Sequence, residues 1–312
     1  MKKYKVSVCI PVYNVEQYIG RCIESVLSQS LKDIELVVVN DCTPDKSMEI
    51  VRKYAECDKR IKIVEHDKNH GQMVARRSGY MAADGDYIAF CDSDDTLTEG
   101  ALESLYNEAI RADADIVSGV IEYIPTNRKP YQWKNKLSYG TDKISVFRSL
   151  LTDEFCHNLC SRLFRRELLL GYDYETHERA TNGEDAMLFY QVVDNATKVV
   201  TINRVVYEYR QNLESSSQGR LSDNALRSIA LANAMIVTVV NKYSCLQKFL
   251  NRSVAKSYWR FRCEGYKIAK YFEEVGLTEY CSLFLLVRYL SYKNILRVCY
   301  LFWLKINHRG TC

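Results

Sequence analysis

The chain has 312 residues, 47% hydrophobic and 26% charged, a composition that excludes a disordered or fibrous protein and allows one large domain or two. Its net charge of +4 is unevenly spread: residues 222–312 carry 14 basic and 5 acidic side chains, leaving the preceding part at −5. The twelve cysteines are scattered, several of them inside apolar runs, as expected of buried thiols in a reducing compartment rather than a disulfide framework.

Lys2, Lys3 and Lys5 precede an apolar run that stops at Pro11 and Asn14. That run is too short for a signal peptide and reads as a strand. No stretch reaches about eighteen uncharged apolar residues, so no spanning helix is expected. Val6–Val12 is a run of strand formers, and Ile19, Cys22, Ile23, Val26 and Leu27 then recur at helical spacing. Ile34–Val39 is a nearly unbroken apolar strand, the pattern of one buried on both faces. Thr43-Pro44 offers an N-cap and a first-turn proline for a helix carrying Met48, Ile50, Val51 and Tyr54. A strand at Ile61–Val64, a helix at Val74–Ala83 and a strand at Tyr87–Cys91 follow, then a helix from about Thr98 and a strand at Ile116–Val120. This alternation predicts an α/β fold: an open, mostly parallel sheet with helices on both faces.

Beyond Ile124 the pattern loosens. Residues 125–140 read as a loop holding Tyr131, Trp133 and Tyr139, rings suited to the C–H face of a sugar and equally to ordinary packing under a long loop. Asn182-Gly183-Glu184-Asp185 opens an apolar helical run from Met187, residues 211–219 form a Ser-rich boundary, and the chain from Ser222 reads as helical. The expected division is a domain at 1–220, with a first half at 1–121 and a second at 122–220. A mainly helical, basic C-terminal region at 221–312 follows.

Open sheets of this kind bind ligands beyond the carboxyl ends of their strands. Here those ends carry Tyr13-Asn14, Asn40-Asp41, His66-Asp67 and Asp92-Ser93-Asp94-Asp95. Neither a GxxxxGK[ST] loop nor a GxGxxG turn after a strand is present, so a diphosphate would need a bound cation. Asp92 and Asp94 supply hard oxygen ligands for such a divalent ion, Mn²⁺ or Mg²⁺. A carboxylate at Asp41 can accept the N3–H of uracil, whereas cytosine N3 has no proton to give. Tyr13 can stack on a base. Cys156 and Cys160 flank His157, but no second pair follows and no zinc site is expected.

Val6-Ser7-Val8-Cys9-Ile10-Pro11-Val12-Tyr13-Asn14, Asn40-Asp41-Cys42-Thr43-Pro44-Asp45, Gly71 to Gly79, Asp84-Gly85-Asp86-Tyr87-Ile88 and the Asp92–Asp95 cluster occur in an order that resembles a family 2 glycosyltransferase of the GT-A fold. The resemblance implies a nucleotide-diphospho-sugar donor, probed by Pro11, Tyr13, Asp41, Arg76, Asp92, Ser93 and Asp94, with Asp92 and Asp94 also on the metal. It places Arg210 near the diphosphate and aligns Asp185 with the catalytic base of an inverting transfer. Arg77 stands where the family commonly has Asn, and Asn40-Asp41 where Asp-Asp is common. The acceptor implied is a glycan or a lipid-linked glycan of a bacterial cell surface.

Two other readings compete. Ile88 to Leu97 satisfies the apolar-strand-plus-DxDxT pattern of haloacid-dehalogenase-like phosphatases, with Asp92 as nucleophile and Asp94 as acid/base. A non-catalytic sugar-nucleotide-binding subunit would carry the same rim. Nucleic-acid binding is not expected, since no zinc-finger or RNP-like motif accompanies the basic tail. In that tail Arg288, Lys293, Arg297, Lys305 and Arg309 punctuate an apolar run containing Phe302 and Trp303. This pattern suits a helix lying on an anionic membrane surface, which would hold a cytoplasmic protein peripherally at the inner face of the membrane, or a helix packed on the protein's own core with an exposed basic edge.

Overall fold

The structure is a computed structural model, and residues 4–126, 129–211 and 220–282 are described. The Ser-rich stretch at 212–219 and the basic tail from 283 onward lie outside the described residues. In chain order the elements are β1 (Val6–Val12), α1 (Ile19–Leu27), β2 (Ile34–Asn40), α2 (Ser47–Cys57), β3 (Ile61–Glu65), α3 (Gln72–Ala82), β4 (Tyr87–Phe90), β5 (Thr96–Leu97), α4 (Ala101–Ala112), β6 (Ile116–Ile124), β7 (Tyr131–Trp133), α5 (Lys143–Leu151), β8 (Arg162–Arg165), α6 (Arg166–Leu170), α7 (Glu184–Asn195), β9 (Val199–Arg210), α8 (Asp223–Val240), α9 (Gln247–Cys263) and α10 (Ala269–Glu274).

The strands form one open sheet in the order β3-β2-β1-β4-β8-β6-β9-β5, with β7 paired to β6. Strands β3, β2, β1 and β4 are mutually parallel, and β6 runs parallel to β9. Between them β8 pairs antiparallel with both β4 and β6. The apolar run of β2 is buried throughout Leu36–Val39, as are Val6, Val8, Ile10 and Val12 of β1. At roughly 1.5–3 kcal/mol for each such side chain, these two strands anchor the core. Glu35 is the polar exception, and its carboxylate is matched by the Ser7 hydroxyl at 2.5 Å and by the Asp84 backbone N–H.

Helix α3 packs on β1 and β2, and α4 packs on β6, β8 and β9. One buried apolar cluster continues from Val6 to Tyr280, through β6, which runs unbroken past residue 121, and into α7 to α10. Helix α8 is long and apolar enough to cross a membrane by length and composition, but 56% of it is buried against its neighbours. It packs on α7, α9 and α10 as a core helix.

Several local expectations need correction. The stretch at 125–140 is not wholly a loop: Tyr131–Trp133 forms β7, because Ile121–Tyr123 offers it an antiparallel edge. Helix α2 starts at Ser47 without a Thr43 cap. The Thr43 hydroxyl instead donates to Asp45 Oδ1, which also accepts from the Ser47 N–H. Helices α3 and α4 start at Gln72 and Ala101 rather than at Val74 and about Thr98.

Candidate active site

Because β2, β1 and β4 are adjacent and parallel, their carboxyl ends bring Asp41, Tyr13 and Asp92 to one rim. Pro11 is buried within β1 opposite Val39, while Tyr13, just beyond the strand, is 48% exposed. Asp41 is only 3% exposed. Its Oδ1 accepts from His66 Nδ1 at 2.7 Å and from the His70 backbone N–H at 2.9 Å, and its Oδ2 accepts from the Gly71 N–H at 2.8 Å. A carboxylate has about four lone-pair positions, so this anchoring leaves capacity on Oδ2. Gly71 adopts φ +93°, and a side chain there would lie 2.7 Å from Arg179 Cα. The residue before Gly71, His70, passes its carbonyl to the Arg179 N–H at 2.7 Å, which sews the rim to the loop preceding α7.

Asp92 and Asp185 meet on a single guanidinium. Arg76, 2% exposed, donates from Nη1 to Asp185 Oδ1 at 2.6 Å and from Nη2 to Asp92 Oδ1 at 2.8 Å. Burial works against its charge, but Asp185 and Asp92 outweigh that and hold it firmly protonated. Gln72, one turn earlier on the same face of α3, also donates to Asp92 Oδ1, at 2.7 Å. The sequence pattern missed Gln72, although its i, i+4 spacing to Arg76 was a usable signal. Arg77, on the contrary, turns to Asp173 at 2.7 Å.

The four members of Asp92–Asp95 have separate environments. Ser93 is buried, and Asp94 is half-buried with its carbonyl accepting from Arg21. Asp95 is 1% exposed, and burial, then Asp94 and Asp92, push its carboxyl well above the usual range. It accepts from the Tyr207 hydroxyl at 2.7 Å and from the Arg210 backbone N–H at 2.8 Å. Tyr207 in turn accepts from the Asp92 N–H at 3.1 Å, so β9 fixes the acidic turn from below. The Arg210 side chain bonds Glu208 at 2.9 Å. Tyr207 carried no motif signal, because its partners lie more than a hundred residues away.

Asp185 sits in the first turn of α7, where the helix dipole favours a carboxylate. Its Oδ2 also accepts from the Leu159 N–H at 3.3 Å. The turn before it depends on Gly183, at φ +150°, where a Cβ would lie 2.9 Å from the Ala232 Cβ of α8. Ser228 of α8 accepts from the Thr181 N–H at 3.1 Å, so the helical region supports this acid directly. Neighbouring Glu184 has its pKa raised by burial and by Asp185, with Arg76 opposing.

Asp92 and Asp185 open on a cavity of about 420 Å³, also lined by Tyr123, Tyr131, Tyr209, Asn158, Cys160 and Gln211. Burial and the Asp92 charge push the Cys160 thiol far up, which leaves it neutral rather than nucleophilic. Arg162, fully buried over the Phe189 ring at 4.2 Å, donates to Asn158 Oδ1 at 2.8 Å and braces this wall. Of the three aromatics expected near an acceptor, only Tyr131 lines the cavity. Trp133 is paired with Ile121, and Tyr139 lies under the Arg148 guanidinium at 3.9 Å.

Among the described residues no three His, Cys, Asp or Glu side chains converge into a self-sufficient metal site. Asp92 lines the cavity and Asp94 is not among its lining residues; their oxygens would suit a different arrangement, in which one or two carboxylates hold Mg²⁺ or Mn²⁺ and substrate phosphates complete the shell. Asp95 is turned inward and is not part of that donor set.

Residues 7–171 match the model of Glycosyl transferase family 2. This chain belongs to that family. Among family relatives, glycosyltransferase EpsJ of Bacillus subtilis is 33% identical over 217 residues, which are 68% of this chain and 63% of EpsJ. Glycosyltransferase GlyA of Streptococcus pneumoniae is 32% identical over 217 residues, covering 66% of this chain and 30% of GlyA. The chain thus spans less than two thirds of the length of either relative. The structure of S. aureus TarS 1-349 in complex with UDP superposes with a TM-score of 0.67 at 16% identity, covering 88% of this chain and 82% of that TarS chain. That likeness establishes the GT-A type of fold on which the family's site is built.

Proposed function

We propose that this chain is an inverting, metal-dependent glycosyltransferase that moves a sugar from a UDP-sugar to an acceptor hydroxyl in bacterial cell-surface polysaccharide or glycolipid synthesis. The observation that carries the proposal is the pairing of Asp92 and Asp185 on Arg76 at the edge of one cavity. Tyr13 and Asp41 receive the uracil, and Pro11, Ser93 and Arg210 shape the donor rim. Asp92 and Asp94 would hold the divalent cation, which would offset negative charge on the departing diphosphate. Asp185 takes the proton of the acceptor hydroxyl. The acceptor oxygen bonds to the anomeric carbon as that carbon's bond to the diphosphate oxygen breaks on the opposite face. The diphosphate leaves with the bonding pair, and the configuration inverts.

A phosphatase reading fits less well, since three strands precede the Asp92 strand in the chain and that strand lies inside the sheet between β1 and β8. The buried thiols Cys9, Cys22 and Cys91 suit a reducing, cytoplasmic setting. A thermal-shift titration with UDP tests the donor assignment. UDP is expected to stabilise the protein only with Mn²⁺ or Mg²⁺ present, and Asp94→Ala to abolish the gain. Equal stabilisation in excess EDTA refutes the metal assignment.

A further inference from the structure

We propose that Tyr131, Tyr123 and Tyr209 form a binding platform for a neutral pyranose unit of the acceptor. This rests on the glycosyltransferase reading and adds to it the chemical class of the second substrate. Strands β7, β6 and β9 are neighbours, and Tyr123 of β6 is the register partner of both Tyr131 on β7 and Tyr209 on β9. Three adjacent strands therefore present a tyrosine at the same level of the sheet.

The rings of Tyr123 and Tyr131 stack with centroids 4.9 Å apart and planes 5° apart, and Tyr209 meets Tyr123 at 5.3 Å, tilted by 54°. A cross-strand aromatic row of this kind also stabilises a sheet. Stabilisation alone does not account for its placement, because all three tyrosines line the cavity that holds Asp92 and Asp185. Tyr131 remains 42% exposed although it is stacked. The cavity volume of about 420 Å³ lies within the range of small-ligand sites, about 300–1,000 Å³.

Charge decides the class of ligand. Among the described residues lining the cavity, the charged side chains are Asp92 and Asp185, and none is Lys or Arg. Asp92 and Asp185 already share the Arg76 guanidinium behind the wall, and among the described lining residues no Lys or Arg is left to receive the charges of a phosphodiester-linked acceptor. A pyranose brings an apolar C–H face for the rings and hydroxyls for the amides of Asn158 and Gln211. One of those hydroxyls then lies toward Asp185.

Saturation-transfer NMR on the full chain with Mg²⁺ and UDP tests the platform. The probes are the methyl β-glycosides of glucose, galactose and N-acetylglucosamine, with glycerol 3-phosphate as the anionic comparison. At least one glycoside is expected to receive saturation. Tyr131→Ala should weaken its binding about tenfold and Tyr131→Phe should keep it, since the ring and not the hydroxyl supplies the surface. The UDP thermal shift should survive in both variants. The proposal is overturned if no glycoside binds, if Tyr131→Ala binds as tightly as wild type, or if glycerol 3-phosphate competes on equal terms. A retained UDP shift beside any of these failures removes the platform and leaves the donor reading intact. Glycoside binding without a UDP shift supports the platform and counts against the donor reading.

Discussion

Arg76 Nη1 lies 2.6 Å from Asp185 Oδ1, across 109 residues of sequence, and the same guanidinium holds Asp92 at 2.8 Å. One buried cation thus sets the spacing between the proposed base and the proposed metal ligand. Arg76→Ala would leave two carboxylates, each about a quarter exposed, facing each other without a counter-charge. The expected loss is about 3 kcal/mol of stability, readable by urea denaturation. Arg76→Lys supplies charge without the planar fork and cannot reach both acids. It should keep most of the stability and lose most of the transfer activity.

Asp185→Asn preserves shape and removes the proton acceptor. Transfer should fall by roughly 10²–10⁴-fold while UDP affinity stays within about twofold of wild type. NMR of the wild-type product should show the anomeric configuration opposite to the donor's. A retained configuration rejects Asp185 as the base of a single displacement.

Base selectivity tests Asp41. With Oδ2 accepting from the Gly71 N–H at 2.8 Å, the carboxylate is fixed as an acceptor and favours a base that brings an N–H. CDP is expected to bind at least about tenfold more weakly than UDP by calorimetry, because cytosine N3 would meet a second acceptor. Comparable affinities would show that Asp41 only anchors its own loop.

His70 gives a pH dependence to the seam between the rim and the loop before α7. Its ring bonds Glu178 at 2.9 Å and Asp67 at 3.2 Å, and these raise its pKa against burial and Lys68. Both acids are correspondingly held below their usual range, so they are ionised in mildly acidic solution. The His66 ring faces His70 edge-on at 5.1 Å. A raised folded-state pKa stabilises fully below the unfolded value of about 6.5, and the gain is lost as pH rises through the folded value. The melting-temperature difference between wild type and His70→Gln should therefore be widest below about pH 6.5 and narrow as the pH rises above it. A difference that grows with pH contradicts the ion-pair account.

The rim was legible because its signals are local. Apolar runs such as Ile34–Val39 mark buried strands, and the polar residues that end them, Tyr13, Asp41 and Asp92, fall where a parallel sheet opens. Helix α7 and the acids at its start were legible for the same reason. The short strand β7 was not, since three exposed residues become a strand only when β6 supplies an edge.

Sequence alone determined the main strand–helix alternation up to about Val120, the identity of the acids and their place at strand and helix ends, because hydrophobic period and turn chemistry act over a few residues. Tertiary structure decided which acids meet. The insertion of β8 between β4 and β6 and the register of β9 carry Tyr207 to Asp95 and bring three tyrosines into one row. The packing of α7 on α3 carries Asp185 to Arg76. Such contacts join residues roughly a hundred positions apart, and what selects them is the burial of a shared core, which no local pattern encodes.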